Sequence, residues 1–248
     1  MNWQTAIGIL STAALVTPVV VIIITRLFRY KFFLALFVYC LMACIYNLMT
    51  EGYLVVPREV QRTFGVMTNL LDFPLIFTFM MIFANSKKQR KIMTIVLVIG
   101  ICFELVVVAL KGVAIPSIII IMGPGIAIVF AYALYFFAQN VKRSFIHAKA
   151  IGKALMASAV CFAYGCFTFL YVMYYILKVP DSPQIFIVYF TITIVYCSFL
   201  SVGLIKESKR KRKLEELLET RRELLRFFAD ETKPATPAKD ITGQWRLN

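Results

Sequence analysis

The chain has 248 residues, 60% of them hydrophobic, and its mean hydropathy is +0.79. Soluble domains carry less apolar and more charged sequence, so this composition excludes an ordinary soluble domain. The formal net charge of +14 comes without a nucleic-acid recognition motif, so no nucleic acid is expected as a partner.

Seven apolar windows are each long enough to cross a bilayer as a helix, which takes about 20 residues. None shows the period-two alternation of a membrane barrel strand. Helices satisfy their own backbone hydrogen bonds in lipid, so we expect an all-α seven-transmembrane helix bundle over residues 1–205. The windows are 7–25, 32–50, 66–84, 92–110, 115–138, 154–177 and 185–205.

The basic residues predict the orientation of this bundle. No basic residue precedes the first window and a basic cluster follows it, which is the reverse of a secretory leader. Of the 27 Lys and Arg residues, all but four follow an odd-numbered window. The exceptions are Arg58, Arg62, Lys111 and Lys178. The positive-inside rule then predicts an outside N-terminus and a cytoplasmic C-terminus, in an integral protein of a bacterial inner (plasma) membrane.

The sequence contains few residues that could bind a metal or form a catalytic centre. All six cysteines lie within windows, where they are typical of small reduced hydrophobes. His147 is the one histidine and follows the fifth window. A zinc or di-iron site needs several His or carboxylate side chains facing one another. We therefore expect no metal, no cofactor and no enzyme activity.

Two carboxylates stand inside the windows. Asp72 lies six residues into the third, about 9 Å deep, and Glu104 reaches the same depth from the same face in the fourth. A charge at bilayer depth costs about 3 kcal/mol or more, so such residues usually face a cavity, a partner or a functional path. The alternative is structural: a protonated Asp72 bonds Asn47 or a tyrosine, and Lys111 reaches Glu104.

Other polar side chains share this outer half. Asn69 is one turn above Asp72, and the tyrosines of the sixth and seventh windows recur at helical spacing along one face. Tyr171 also fits an interfacial aromatic belt. The predicted ligand-binding residues are Asp72, Glu104, Asn69, Asn47, Tyr164, Tyr171, Tyr189, Thr193 and Tyr196. Pro74 and Pro124 predict kinks beside them.

The segment after the seventh window reads as a basic amphipathic cytoplasmic helix over 206–230, followed by a disordered tail over 231–248. A juxtamembrane cluster of this kind attracts anionic lipid at about 1 kcal/mol per charge. The predicted lipid-binding residues are Lys209, Arg210, Lys211, Arg212 and Lys213. The pattern fits three arrangements of this helix. It could lie on the membrane, continue the seventh helix, or pair with a second copy or a cytoplasmic partner.

With an outside N-terminus and seven spans, the chain resembles microbial rhodopsins in topology. Its Asp72-Phe73-Pro74-Leu75 is similar to the rhodopsin segment in which an acid precedes a Pro-Leu pair, with a shorter spacing. The seventh window has no lysine to form a retinal Schiff base, so no retinal is expected. The chain also resembles uncharacterised bacterial seven-span membrane proteins, which implies the fold and no activity.

The leading functional hypothesis is a sensor or receptor-like membrane protein with a small ligand in an outward-facing polar pocket, signalling through its tail helix. A proton-coupled transporter or channel using Asp72 and Glu104 is the first alternative, although no inverted repeat is visible. A membrane-embedded assembly partner is the second.

Overall fold

The computed structural model describes residues 3–112, 115–146, 151–178 and 183–231. Within them the chain is all-helical and has no β-strand. The helices are α1 (Trp3–Ile24), α2 (Lys31–Thr50), α3 (Arg58–Met80), α4 (Lys87–Lys111), α5 (Ile115–Ile146), α6 (Ile151–Tyr171) and α7 (Pro183–Glu231). Short 3-10 turns cover Leu27–Arg29 and Met81–Phe83, and a π-helical turn, Val172–Ile176, follows α6.

In the described part of the chain, seven helices are long and apolar enough to cross a membrane, which agrees with the predicted all-α class and with the seven predicted windows. Each contains or closely matches one predicted window. Three helices extend well beyond their windows: α3 begins at Arg58, α5 continues to Ile146, and α7 continues to Glu231 through the segment predicted as the tail helix. The chain divides into two compact units, the first ending at Ser208. Of the predicted disordered tail, residues 232–248 lie outside the described residues.

Aromatic packing forms the centre of the first unit. Phe33, Phe79, Phe83 and Phe136 are all fully buried, and they join α2, the end of α3 and α5. The Phe79 and Phe83 ring centroids are 5.5 Å apart, and those of Phe83 and Phe136 are 5.8 Å apart, in the tilted and edge-to-face arrangements that aromatic pairs prefer. By contrast, α4 turns large apolar side chains outward, as a lipid-facing helix does.

Two glycines bring the backbones of α6 and α7 into contact. A Cβ atom on Gly203 would lie 3.0 Å from the amide nitrogen of Met156 and 3.1 Å from the carbonyl oxygen of Gly152. A Cβ on Gly152 would lie 2.9 Å from the amide nitrogen of Glu207. Only small residues permit such an approach between membrane helices. This contact was not predicted from the sequence.

A lysine joins α6 to the end of α3. The Lys153 Nζ donates a hydrogen bond of 2.9 Å to the carbonyl oxygen of Ile82, in the 3-10 turn that follows α3. The last carbonyls of a helix have no donor within the helix, and a cation there also complements the helix dipole. Lys153 is thus a fixed contact between two helices that are far apart in sequence.

Candidate functional site

Asp72 lies on α3 two residues before Pro74, in a segment whose bulky neighbours pack inward. Phe73 is buried and stacks on Phe77 with ring centroids 5.3 Å apart, while Asp72 itself is half-buried. Pro74 has no amide hydrogen, so the carbonyl of Leu70 loses its helical donor at this level. The helix is therefore locally polar where the acid sits.

The Asp72 carboxylate is hydrogen-bonded to a tyrosine of α6 and lies near a tyrosine of α2. The Tyr164 hydroxyl of α6 donates to both carboxylate oxygens, at 2.8 Å each, and Tyr164 is 1% exposed. Tyr39 of α2 lies within side-chain hydrogen-bonding reach of the same carboxylate. Charge-assisted hydrogen bonds of this kind are stronger than neutral ones. Asp72 therefore joins α3 to α6, with Tyr39 of α2 beside the contact.

A third tyrosine approaches from α7. Tyr196 is 6% exposed, interacts electrostatically with Asp72, and its hydroxyl has no hydrogen-bond partner among the described residues. A buried hydroxyl without a partner costs free energy, so it needs an explanation. We call Asp72 with Tyr39, Tyr164 and Tyr196 the Asp72–tyrosine cluster.

Aromatic rings extend the cluster along α6 and α7. The Phe167 ring lies edge-on to Tyr164, with centroids 5.8 Å apart, and is stacked with Tyr189 at 5.9 Å. Tyr189 interacts electrostatically with Asp72 and is itself exposed on one side. Of the predicted site residues, Asp72, Tyr164, Tyr189 and Tyr196 thus lie in one region.

Glu104 lies in the same region on α4. It is 8% exposed, interacts electrostatically with Asp72, and makes no hydrogen bond or ion pair among the described residues. Gly100, one turn earlier on α4, packs so closely on Phe73 that a Cβ there would overlap the Phe73 ring. This contact explains how Glu104 comes to face α3. The alternative pairing with Lys111 is not formed, because Lys111 remains exposed at the end of α4.

Three predicted residues are bonded elsewhere. The Asn69 amide donates to the carbonyl of Gly65 in its own helix at 2.9 Å. The Asn47 amide donates to the Thr12 hydroxyl of α1 at 2.7 Å, so the Asn47 alternative for Asp72 is not formed. Thr193 is buried and its hydroxyl donates to a carbonyl one turn earlier.

Tyr171 also bonds away from Asp72. Its hydroxyl donates to the carbonyl oxygen of Ile119 in α5 at 3.0 Å and packs on Gly123, where a Cβ would lie 2.6 Å from the hydroxyl oxygen. Gly123 precedes Pro124 in α5, and Tyr171 is the last residue of α6 before the π-helical turn. Single π-turns are frequent at functional sites. Tyr171 therefore belongs to a contact between two irregular helical segments.

Tyr39 is the cluster residue that was missed in the sequence. The sequence feature that indicates Tyr39 is its position in the middle of α2, far from the membrane interfaces where aromatic belts lie.

The basic residues of the tail lie in the second unit. Lys209, Arg212 and Lys213 are exposed, and Arg210 and Lys211 are half-buried. All five are helical, within α7.

The described part of the chain has no group of three or more His, Cys, Asp or Glu side chains placed to hold a metal ion. No protein-family model, no curated protein and no solved structure matches the chain. The geometry of the site is therefore the basis for assigning a role.

Proposed function

We propose that the protein is a sensor or receptor-like membrane protein, with its N-terminus outside and its C-terminus in the cytoplasm of a bacterial inner membrane. A small molecule enters from outside and binds at the Asp72–tyrosine cluster, and the response passes to the tail of α7. The positive-inside distribution of Lys and Arg supports the orientation.

The single observation that carries this proposal is the environment of Asp72. The half-buried carboxylate accepts from the Tyr164 hydroxyl of α6 and interacts with Tyr39 of α2 and Tyr196 of α7, and the Tyr196 hydroxyl has no hydrogen-bond partner among the described residues. Convergent polar groups with aromatic neighbours are typical of small-molecule sites. A site assembled from four helices is sensitive to the positions of all four.

Two features support a conformational response. Pro74 lies beside Asp72, and the Gly123–Pro124 segment contacts Tyr171 at the start of the π-helical turn, so irregular backbone borders the site. The helix that carries Tyr189 and Tyr196, α7, is also the helix that contains the tail residues up to Glu231. Ligand contacts with α7 therefore act on the element that carries the proposed output.

The test is a screen of small molecules against the purified full chain, read as thermal stabilisation. We expect compounds that stabilise the wild type and lose this effect in Asp72→Asn. The matched control is Glu51→Gln, a carboxylate at the same end of the bundle that packs on Gly8 of α1. If no compound separates Asp72→Asn from Glu51→Gln, the receptor assignment fails.

A proton-coupled transporter or channel is the second candidate. It is favoured by the electrostatic interaction between Asp72 and Glu104, because two nearby acids bind protons in a coupled way. In proteoliposomes with a pH-sensitive dye, this candidate requires proton uptake by the wild type, abolished in Asp72→Asn and Glu104→Gln and kept in Glu51→Gln. If the wild type moves no protons down an imposed gradient, the transporter or channel candidate is eliminated.

We further propose that Lys209, Arg210, Lys211, Arg212 and Lys213 hold the amphipathic part of the tail to anionic lipid. The exposed side chains of Leu214, Leu217 and Leu218 supply an apolar face next to this cluster. Pairing of these leucines with a second copy of the tail, or with a cytoplasmic partner, is the competing arrangement.

A further inference from the structure

We infer that the ligand of the Asp72–tyrosine cluster is a small organic molecule carrying an ammonium group, with that group placed at the Asp72 carboxylate. The inference rests on the proposed function and names its ligand class. Its first support is charge. The seven predicted windows contain two acidic residues, Asp72 and Glu104, and no lysine, arginine or histidine.

A carboxylate inside the bundle is costly unless hydrogen bonds, a counter-charge or protonation offset its loss of water. The spans supply no basic side chain for Asp72, and its neighbour Glu104 adds a second negative charge when both are ionised. A cation that enters from solution supplies the missing charge. A neutral or anionic ligand would leave both acids unpaired or would repel them.

Hydrogen-bonding capacity gives the second support. The Tyr164 hydroxyl uses its hydrogen on Asp72, and the Tyr39 hydroxyl lies within side-chain hydrogen-bonding reach of both Asp72 and Tyr164. The Tyr196 hydroxyl, 6% exposed, and the Glu104 carboxyl, 8% exposed, have no hydrogen-bond partner among the described residues. The two ionised carboxyl groups offer more acceptor positions than the neighbouring hydroxyls have hydrogens, and an ammonium group brings up to three donors.

The surroundings distinguish an organic ammonium from a metal ion. Hard divalent ions take six or more oxygen ligands, largely carboxylates and carbonyls, and the described residues offer no group of three or more potential metal-binding side chains. Around Asp72 stand aromatic rings instead: Tyr164, Phe167 and Tyr189 form a continuous series of ring contacts. Aromatic faces attract organic cations and also pack against their carbon atoms.

The experiment uses three probes of one shape on the detergent-purified full chain: 2-phenylethylammonium, 2-phenylethanol and phenylacetate. Binding is measured by thermal shift and calorimetry. We expect saturable binding of the cation alone, weakened by about tenfold or more in Asp72→Asn, which corresponds to about 1.4 kcal/mol or more. Glu51→Gln is the matched control and should bind as the wild type does.

Asp72→Asn also removes a structural charge, so Tyr196→Phe provides a second variant. The Tyr196 hydroxyl has no partner in the described part of the protein, so its removal should leave thermal stability unchanged while weakening the ammonium probe severalfold. Failure of the ammonium probe to bind overturns the inference, as does unchanged affinity in both variants. Asp72-dependent binding of 2-phenylethanol or phenylacetate overturns the ligand class and leaves the receptor assignment standing. That assignment fails separately, if the compound screen yields nothing that depends on Asp72.

Discussion

Tyr164 is both a contact between two helices and a member of the candidate site. Its hydroxyl donates to both oxygens of Asp72 from inside the protein, and this contact joins α3 to α6. The structural alternative for Asp72, a bond to a tyrosine, is thus realised in the geometry. It does not exclude binding, because a carboxylate has about four acceptor positions and the tyrosines occupy only some of them.

We expect Tyr164→Phe to lower the stability of the bundle. It removes a buried hydrogen bond to a charged group, and such bonds contribute about 1.5–3 kcal/mol. The matched control is Tyr175→Phe, since Tyr175 is 44% exposed and loses little on truncation. Thermal unfolding of both purified variants checks this. Equal melting temperatures for Tyr164→Phe and the wild type would contradict the contact.

At this scale the sequence predicted part of the site. Depth along the windows, which is a local property, placed Asp72 and Glu104 at one level, and the structure brings them within electrostatic reach. The bonds of Asn47 and Asn69 could not be predicted, because a side chain's partner depends on how its helix is rotated. That rotation is set by packing across the whole bundle.

At the scale of the elements, the close crossing of α6 and α7 depends on two glycines, which have no side chain. At Gly203 an added Cβ would meet backbone atoms of α6, which cannot give way as a flexible side chain can. Hydropathy and length predicted that both helices exist, because those signals lie within each helix. The crossing point is a non-local property that joins Gly152 and Gly203, so no window of sequence contains it.

Gly203→Ala should destabilise the protein although alanine is the better helix former by about 1 kcal/mol. Overpacking of a tight contact typically costs about 1–3 kcal/mol, which outweighs the gain in propensity. Gly125→Ala is the control, because its Cβ would lie at an ordinary 3.4 Å from the Phe73 side chain. Melting temperatures in detergent are the measurement, and a Gly203→Ala variant as stable as Gly125→Ala would disprove close contact.

For the tail, we expect anionic lipid to shield the leucine face. Maleimide should label Leu218→Cys more slowly in nanodiscs with anionic lipid than in zwitterionic ones, and high salt should remove the difference. Replacing residues 209–213 by Gln should remove it as well. Glu216→Cys, on the polar side, is the control position. Protection that is independent of lipid charge and of these five residues would favour pairing with a second copy.

The orientation is a property of the whole molecule, and impermeant thiol labelling on intact cells tests it. Val55→Cys, 95% exposed between α2 and α3, should react from outside. Lys88→Cys, exposed at the start of α4, should react only after the membrane is opened. The wild type measures background from its six cysteines. The reverse pattern would move the Asp72 site to the cytoplasmic half and remove the route from outside.

The Lys153 contact limits how two helices of the first unit can move relative to each other. Lys153 of α6 is hydrogen-bonded to Ile82 in the turn after α3, and Tyr164 of α6 is hydrogen-bonded to Asp72 of α3. The two contacts lie ten residues apart on the α3 side, which is about 15 Å along a helix. Two separated attachments resist both sliding and independent rotation, whereas one would permit a pivot. These two contacts favour movement of α3 and α6 as a pair, so under the proposed function we expect a response that begins at Asp72 to shift the other helices relative to this pair.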